Sequence, residues 1–277
     1  MPSESLFAAL GAAPNFALNV FFSLYFLASV YVYISLIRQV SARPSTADVG
    51  STRRFGLPEA ILAAALILLL LLNVSASVSN RSVQLDARNL LENLLFTLVV
   101  VLFIATFLRF RGFDLSALGG FLKISFPRAL STGIVLILAA YPLIALTDAV
   151  TQRLFGSRSS RQSIVELFND SRTIEERIMI IVFAVAIAPV AEEFLFRFFL
   201  YGVLKRYLGR FFGIALNALL FAAAHTHFPS FAPLFVLGAC FTIAYEWSGS
   251  ILVAMTMHSL FNSVSLTVLA FPELFPQ

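Results

Sequence analysis

Charge is scarce in this chain. Asp, Glu, Lys and Arg make up 12% of its 277 residues, where a soluble domain carries about a quarter. So few polar groups cannot cover a water-facing surface, which excludes a soluble globular fold. Cysteine is nearly absent: Cys240 stands alone inside an apolar run, which excludes an internal disulfide and a cysteine-based metal site and leaves a small core residue as the expectation. No contiguous basic tract accompanies the net charge of +4, so a nucleic-acid partner is not indicated. Internal repeats and low-complexity tracts are also missing. The first residues, MPSESLFAAL, lack a positive n-region, and no small-residue cleavage site follows the first apolar run, so that run is expected to be a retained helix. The last residues, ELFPQ, carry no lipidation motif.

What is abundant is hydrocarbon. Hydrophobic residues supply 59% of the chain, and the mean hydropathy is +0.89. A membrane-spanning helix needs about 20 mostly apolar residues. Eight candidate runs stand at 16–37, 57–77, 90–108, 130–149, 178–204, 211–224, 233–245 and 251–270. The expected fold is therefore an all-α polytopic membrane bundle of about eight transmembrane helices. The sixth and seventh runs are short, which predicts a broken or tilted helix there. Residues 113–127 and 157–176 mix apolar and charged side chains and are expected to lie along the headgroup layer. Thr173 and Glu176 have the spacing of a capping box that opens the fifth helix. Loops one-two, three-four and five-six hold more Lys and Arg than the opposite side, which predicts a cytoplasmic location for those loops and both termini on the other side.

The fifth run, AVAIAPVAEEFLFRFFLYGVL, holds Glu192, Glu193 and Arg197. Each such residue near a helix centre costs about 2.5–3.5 kcal/mol on the insertion scale, so the three cost roughly 7–10 kcal/mol, about what the surrounding Ile, Leu, Val and Phe return. Insertion is near break-even unless the charges find partners, and intramembrane ionisable groups are functional candidates. Glu193 and Arg197 are four residues apart in the order that favours an ion pair. Glu192 lies about 100° around the helix and is free to face something else. Pro189 leaves a carbonyl near residue 185 without its donor and opens space around Glu192. A purely structural charge network is the competing reading.

All three histidines lie further along the chain. His225 closes the sixth run in Phe221-Ala-Ala-Ala-His225, and His227 follows as a loop residue. His258 and Asn262 share a face of the eighth run at i and i+4. In lipid these groups must find one another or water, and the bundle interior is the place for that.

Three motifs thus stand in order on apolar helices: Glu-Glu-x-x-x-Arg, Phe-x-x-x-His and His-x-x-x-Asn. With the APVAEEFLFR context, Gly238 and the YEWSGSI stretch, residues 177–268 resemble the CAAX protease and bacteriocin-processing family of intramembrane proteases, which includes the type II CAAX prenyl endopeptidases. Family members often have Gly after the motif Arg, where this chain has Phe198. The resemblance implies an N-terminal segment 1–176 of four helices and a catalytic segment 177–277. It implies an endopeptidase acting on a peptide or protein substrate in a bacterial inner membrane, or in the endoplasmic reticulum membrane of a eukaryote. It further implies that Glu192 and His225 activate a water, that His258 and Asn262 stabilise the oxyanion, and that Glu193 and Arg197 support the site.

The cofactor is none or zinc. Glu192, His225 and His258 can supply three zinc ligands with an open position, and family proteins are often labelled metalloproteases. A His-Glu-x-x-His helix is missing, and the sequence reveals no partner carboxylate for either histidine, which favours a metal-free glutamate mechanism. A non-catalytic peptide-binding or bacteriocin-immunity protein is the alternative function. A transporter would be expected to carry inverted repeats, and a serine intramembrane protease a Gly-x-Ser nucleophile.

Overall fold

The computed structural model describes residues 3–43, 54–79, 87–155, 168, 171 and 173–270. These residues are helical throughout apart from short turns. In chain order the helices are α1 (Ser3–Ala42), α2 (Leu57–Ser79), α3 (Ala87–Phe110), the short α4 (Leu115–Gly119) and α5 (Phe126–Phe155). Then come α6 (Ile174–Val182), a π-helical turn (Phe183–Ile187), α7 (Ala188–Glu193), a second π-helical segment (Phe194–Leu200) and α8 (Tyr201–Ala224). A 3-10 turn (Phe228–Ser230) leads to α9 (Phe231–Ser248), and α10 (Ile251–Ala270) follows. The capping box is present: Glu176 N–H donates to Thr173 Oγ1 at 3.2 Å, and Thr173 N–H to the Glu176 carboxylate at 3.4 Å. Most of the polar segment 157–176 lies outside the described residues.

Seven continuous helices among the described residues are long and apolar enough to cross a bilayer. One of them, Ile174–Ala224, runs for 51 residues. Straight, it would reach about 76 Å, far beyond the roughly 30 Å of a hydrocarbon core. It is not straight. Gly209 has φ 78° and ψ 172°, a conformation essentially restricted to glycine, and the chain reverses there. Asn217 Nδ2 donates to Phe196 O at 2.7 Å, although residues 21 positions apart on a straight helix would stand about 31 Å apart. The run is a hairpin of two arms, 174–208 and 210–224, in which the fifth and sixth apolar runs of the sequence lie side by side. The protein is an integral multi-pass membrane protein, with side chains such as Phe16, Leu72, Leu102 and Phe103 facing outward.

Glu246 fastens the hairpin to its neighbours. Its carboxylate accepts from Tyr201 Oη at 2.9 Å, Lys205 Nζ at 3.1 Å and Arg210 Nε at 2.9 Å, so both arms are held to the end of α9. Arg210 also donates to Val40 O, and Arg43 donates to Trp247 O at 2.7 Å. At the same end Gly120, with φ +62°, lies so close to Gly249 that a Cβ would sit 1.9 Å from the Gly249 carbonyl oxygen. The ends of α1, α9, the hairpin and the α4 turn therefore gather on one face, as alternating crossings require.

One continuous core contains side chains from both halves of the chain, among them Tyr33, Leu66, Leu108 and Ile137 with Phe199, Phe221, Phe241 and Met257. Cys240 is buried within it. Prolines inside spans are matched by donors from neighbouring helices. Pro142 deprives Leu138 O of its helical partner, and Tyr25 Oη supplies the bond at 2.5 Å.

Gly209→Ala is expected to destabilise the protein by about 1–3 kcal/mol through backbone strain alone, because a Cβ there would meet nothing within 4 Å. Thermal unfolding in detergent checks this. An unchanged melting temperature would show that the reversal does not need the glycine conformation.

Candidate active site

Glu192 and Glu193 occupy the last turn of α7, a six-residue helix set between two π-helical segments. Single π-helical turns are uncommon and gather at functional sites. The two adjacent carboxylates face different partners, as a helix demands of consecutive residues.

Glu193 faces inward and is fully buried. Its Oε1 accepts from Arg197 Nη1 at 2.8 Å and from His258 Nδ1 at 2.8 Å. Arg197 is also fully buried, stacks against Phe221 with its guanidinium carbon 4.3 Å from the ring centroid, and lies 5.1 Å from the Phe241 ring. Arg197 Nη2 donates to Gly238 O at 3.3 Å. This corrects one expectation: His258 does have a partner carboxylate, and it is Glu193. Sequence spacing pairs Glu193 with Arg197 but cannot show that a single oxygen serves two cations on separate helices.

Glu192 is 28% exposed, and its Oε2 stands 3.9 Å from His225 Nε2 and 3.8 Å from His258 Nε2. Both distances are too long for a direct hydrogen bond. Among the described residues no group hydrogen-bonds to Glu192 Oε2.

The histidine tautomers follow from their other contacts. His225 Nδ1 lies 2.8 Å from Phe221 O. A carbonyl only accepts, so Nδ1 carries the proton, and in the neutral ring Nε2 presents its lone pair toward Glu192. His258 Nδ1 likewise donates to the Glu193 carboxylate, which leaves Nε2 directed at Glu192. Phe221 holds both rings: its centroid is 4.6 Å from that of His225 and 5.7 Å from that of His258.

Asn262 is placed differently from the other candidates. Its Nδ2 donates to Ala184 O at 2.7 Å. His227 bonds through Nδ1 to Ser230 Oγ at 2.7 Å, within the turn after α8. Phe198, the departure from the family pattern, is buried and stacks on Phe194 with centroids 4.7 Å apart. Sequence reading missed Asn217 and Thr242. Both are buried, and the single Thr242 hydroxyl hydrogen is shared between Gly238 O at 2.8 Å and Asn217 Oδ1 at 3.2 Å. Each is a polar residue inside an apolar span, which is the signal that would have found them.

Among the described residues no three His, Cys, Asp or Glu side chains are arranged to hold a metal ion. The separations from Glu192 to the two imidazoles exceed the roughly 3.3 Å between donors of a tetrahedral zinc with bonds near 2.0–2.1 Å.

Residues 174–264 match the family described as type II CAAX prenyl endopeptidase Rce1-like. Over this segment the chain is similar to the CAAX proteases. The membrane-embedded CAAX protease MroQ of Staphylococcus aureus (strain USA300) is 31% identical over 96 residues, which is 32% of this chain and 39% of that relative. The chain thus spans well under half the length of the curated relative it matches. No solved structure matches significantly. The matched segment contains all six charged or polar side chains of the three motifs.

Arg197→Met would leave the Glu193 carboxylate in the core without its guanidinium. The expected loss is about 3–5 kcal/mol, with recovery of part of that loss in Arg197→Met combined with Glu193→Gln. Melting temperatures of the single and double variants in detergent test this; additive losses would show that the two groups do not form one unit.

Proposed function

We propose that this protein is an intramembrane endopeptidase that hydrolyses peptide bonds of membrane-associated substrates with a carboxylate-activated water, and that residues 177–277 are its catalytic segment. The observation that carries this reading is the partly exposed Glu192 carboxylate, whose buried Oε2 stands 3.9 and 3.8 Å from two imidazole nitrogens and has no hydrogen-bond partner among the described residues.

The roles follow from the protonation states. A water between Glu192 and His225 can donate one hydrogen to the carboxylate and one to the His225 Nε2 lone pair, which aims its own lone pair at a substrate carbonyl. As the water oxygen bonds to the carbonyl carbon, its proton passes to Glu192. The carbonyl oxygen takes up negative charge and is stabilised by His258 in its Nε2-protonated form, whose positive charge Glu193 balances from the other side of the ring. Glu192 then returns the proton to the departing amine as the carbon–nitrogen bond breaks. Arg197 and His258 share the Glu193 carboxylate, which holds the His258 ring with Nε2 toward the site. The similarity to type II CAAX prenyl endopeptidases points to substrates that approach from the lipid, a prenylated tail being one such chemistry.

Glu192→Gln and His225→Ala are expected to lower cleavage by about 10²–10⁴-fold, the usual contribution of a positioned acid or base, with little change in melting temperature. Mass spectrometry of membrane-protein fragments compares the parent strain, a deletion strain and a Glu192→Gln strain. Cleavage products in the Glu192→Gln strain at parental abundance would overturn the reading.

A further inference from the structure

Asn262 is bound to a carbonyl that the sequence itself has left without a partner. The turn Phe183–Ile187 is π-helical, and Ala188 N–H accordingly donates to Phe183 O, five residues back. The next amide in that pattern belongs to residue 189 and would serve Ala184 O. Residue 189 is proline and has no N–H. Asn262 Nδ2 from α10 makes the bond instead, at 2.7 Å. The expectation of an orphan near residue 185 assumed an α-helical register; the π turn moves it to Ala184.

This bond has a companion. His258, one turn before Asn262 on the same face of α10, bonds to Glu193 at 2.8 Å. The helices run in opposite directions, so α10 holds the fifth span at two points, at Ala184 and at Glu193, with Pro189 and Glu192 between them. Two fixed points on one face set the rotation of α7 about its axis. That rotation decides whether Glu192 Oε2 faces the two imidazoles or turns away.

We propose that Asn262 is a positioning residue that substitutes for the missing amide of Pro189 and thereby fixes the orientation of Glu192. The inference rests on the hydrolytic role given to Glu192, but its structural half stands without it. It predicts a conditional requirement. With proline at 189, losing the Asn262 amide leaves Ala184 O unbonded within the bundle. With alanine at 189, a backbone N–H is again available to that carbonyl and the amide becomes dispensable. A residue whose work is donation to the oxyanion would be needed equally in both backgrounds.

The experiment is a double-variant cycle on the full-length protein in detergent and in proteoliposomes, using Asn262→Leu, Pro189→Ala and the pair. Asn262→Leu alone is expected to lower the melting temperature by about 2–4 °C. It should also lower kcat per folded molecule by roughly 100-fold, the scale of a displacement of about 1 Å at the reacting groups. In the Pro189→Ala background the same substitution is expected to change the melting temperature by under about 1 °C and kcat by less than about threefold. Equal kcat losses from Asn262→Leu in both backgrounds, with additive melting temperatures, overturn the proposal and return Asn262 to direct contact with the reacting atoms. A lower melting temperature with kcat per folded molecule unchanged also overturns it, because the bond would then only stabilise. Should Pro189→Ala itself abolish cleavage, the melting temperatures decide, with coupling supporting the clamp and additivity refuting it. If the parent protein cleaves nothing while the melting temperatures still couple, the hydrolytic reading fails and the clamp stands.

Discussion

The arrangement turns on one oxygen. Oε1 of Glu193 accepts from Arg197 in its own helix and from His258 in the last helix. A carboxylate and a guanidinium inside a bilayer are each costly, and the pair is supportable because each is bonded and the guanidinium is also packed against aromatic rings. Once the charge is paid for by Arg197, the same oxygen can anchor His258 at no further charge cost. The ion pair thus reads as a foundation: it engages the Nδ1 side of His258 and so turns Nε2 toward Glu192.

Geometry propagates outward from that foundation. Phe221 packs on Arg197, His225 and His258, and its carbonyl sets the His225 tautomer. Asn217, four residues earlier, bonds to Phe196 O and Thr242, which holds the second arm of the hairpin against the first and α9 against both. The reversal at Gly209 allows this, since it folds a single helical run so that His225 returns to the level of Glu192. Glu246 secures the hairpin's other end.

Much of this was legible because lipid makes polar groups conspicuous. The all-α membrane bundle followed from apolar length, although two of the eight apolar runs fall in one continuous helical run that turns at Gly209. Glu192, Glu193, Arg197, His225 and His258 stood out because an ionisable residue in an apolar helix demands a reason. Asn217 and Thr242 did not, since an uncharged polar residue is tolerated at lower cost and gives a weaker signal. The bond from Glu193 to His258 was illegible for a different reason. It joins residues 65 positions apart, and which carboxylate meets which ring depends on helix rotation, which the two π-helical segments alter. The same register change moved the carbonyl orphaned by Pro189 by one residue.

Those π-helical segments explain why adjacent glutamates can do different work. A continuous α-helix would set the directions of Glu192 and Glu193 from its ends. Here α7 is a short rigid turn with a wider turn on each side, so its rotation is free to be set by contacts instead. Arg197 and His258 fix Glu193, and Glu192 is carried round to face the two Nε2 atoms about 3.8–3.9 Å away. The distances matter as much as the residue types: a closer approach would let Glu192 bond an imidazole directly and tie up the oxygen that is now unpartnered among the described residues. A buried carboxylate bonded to a guanidinium and an imidazole ties two helices together, whereas one held just short of bonding retains the capacity for proton transfer, and the two neighbours divide these tasks between them.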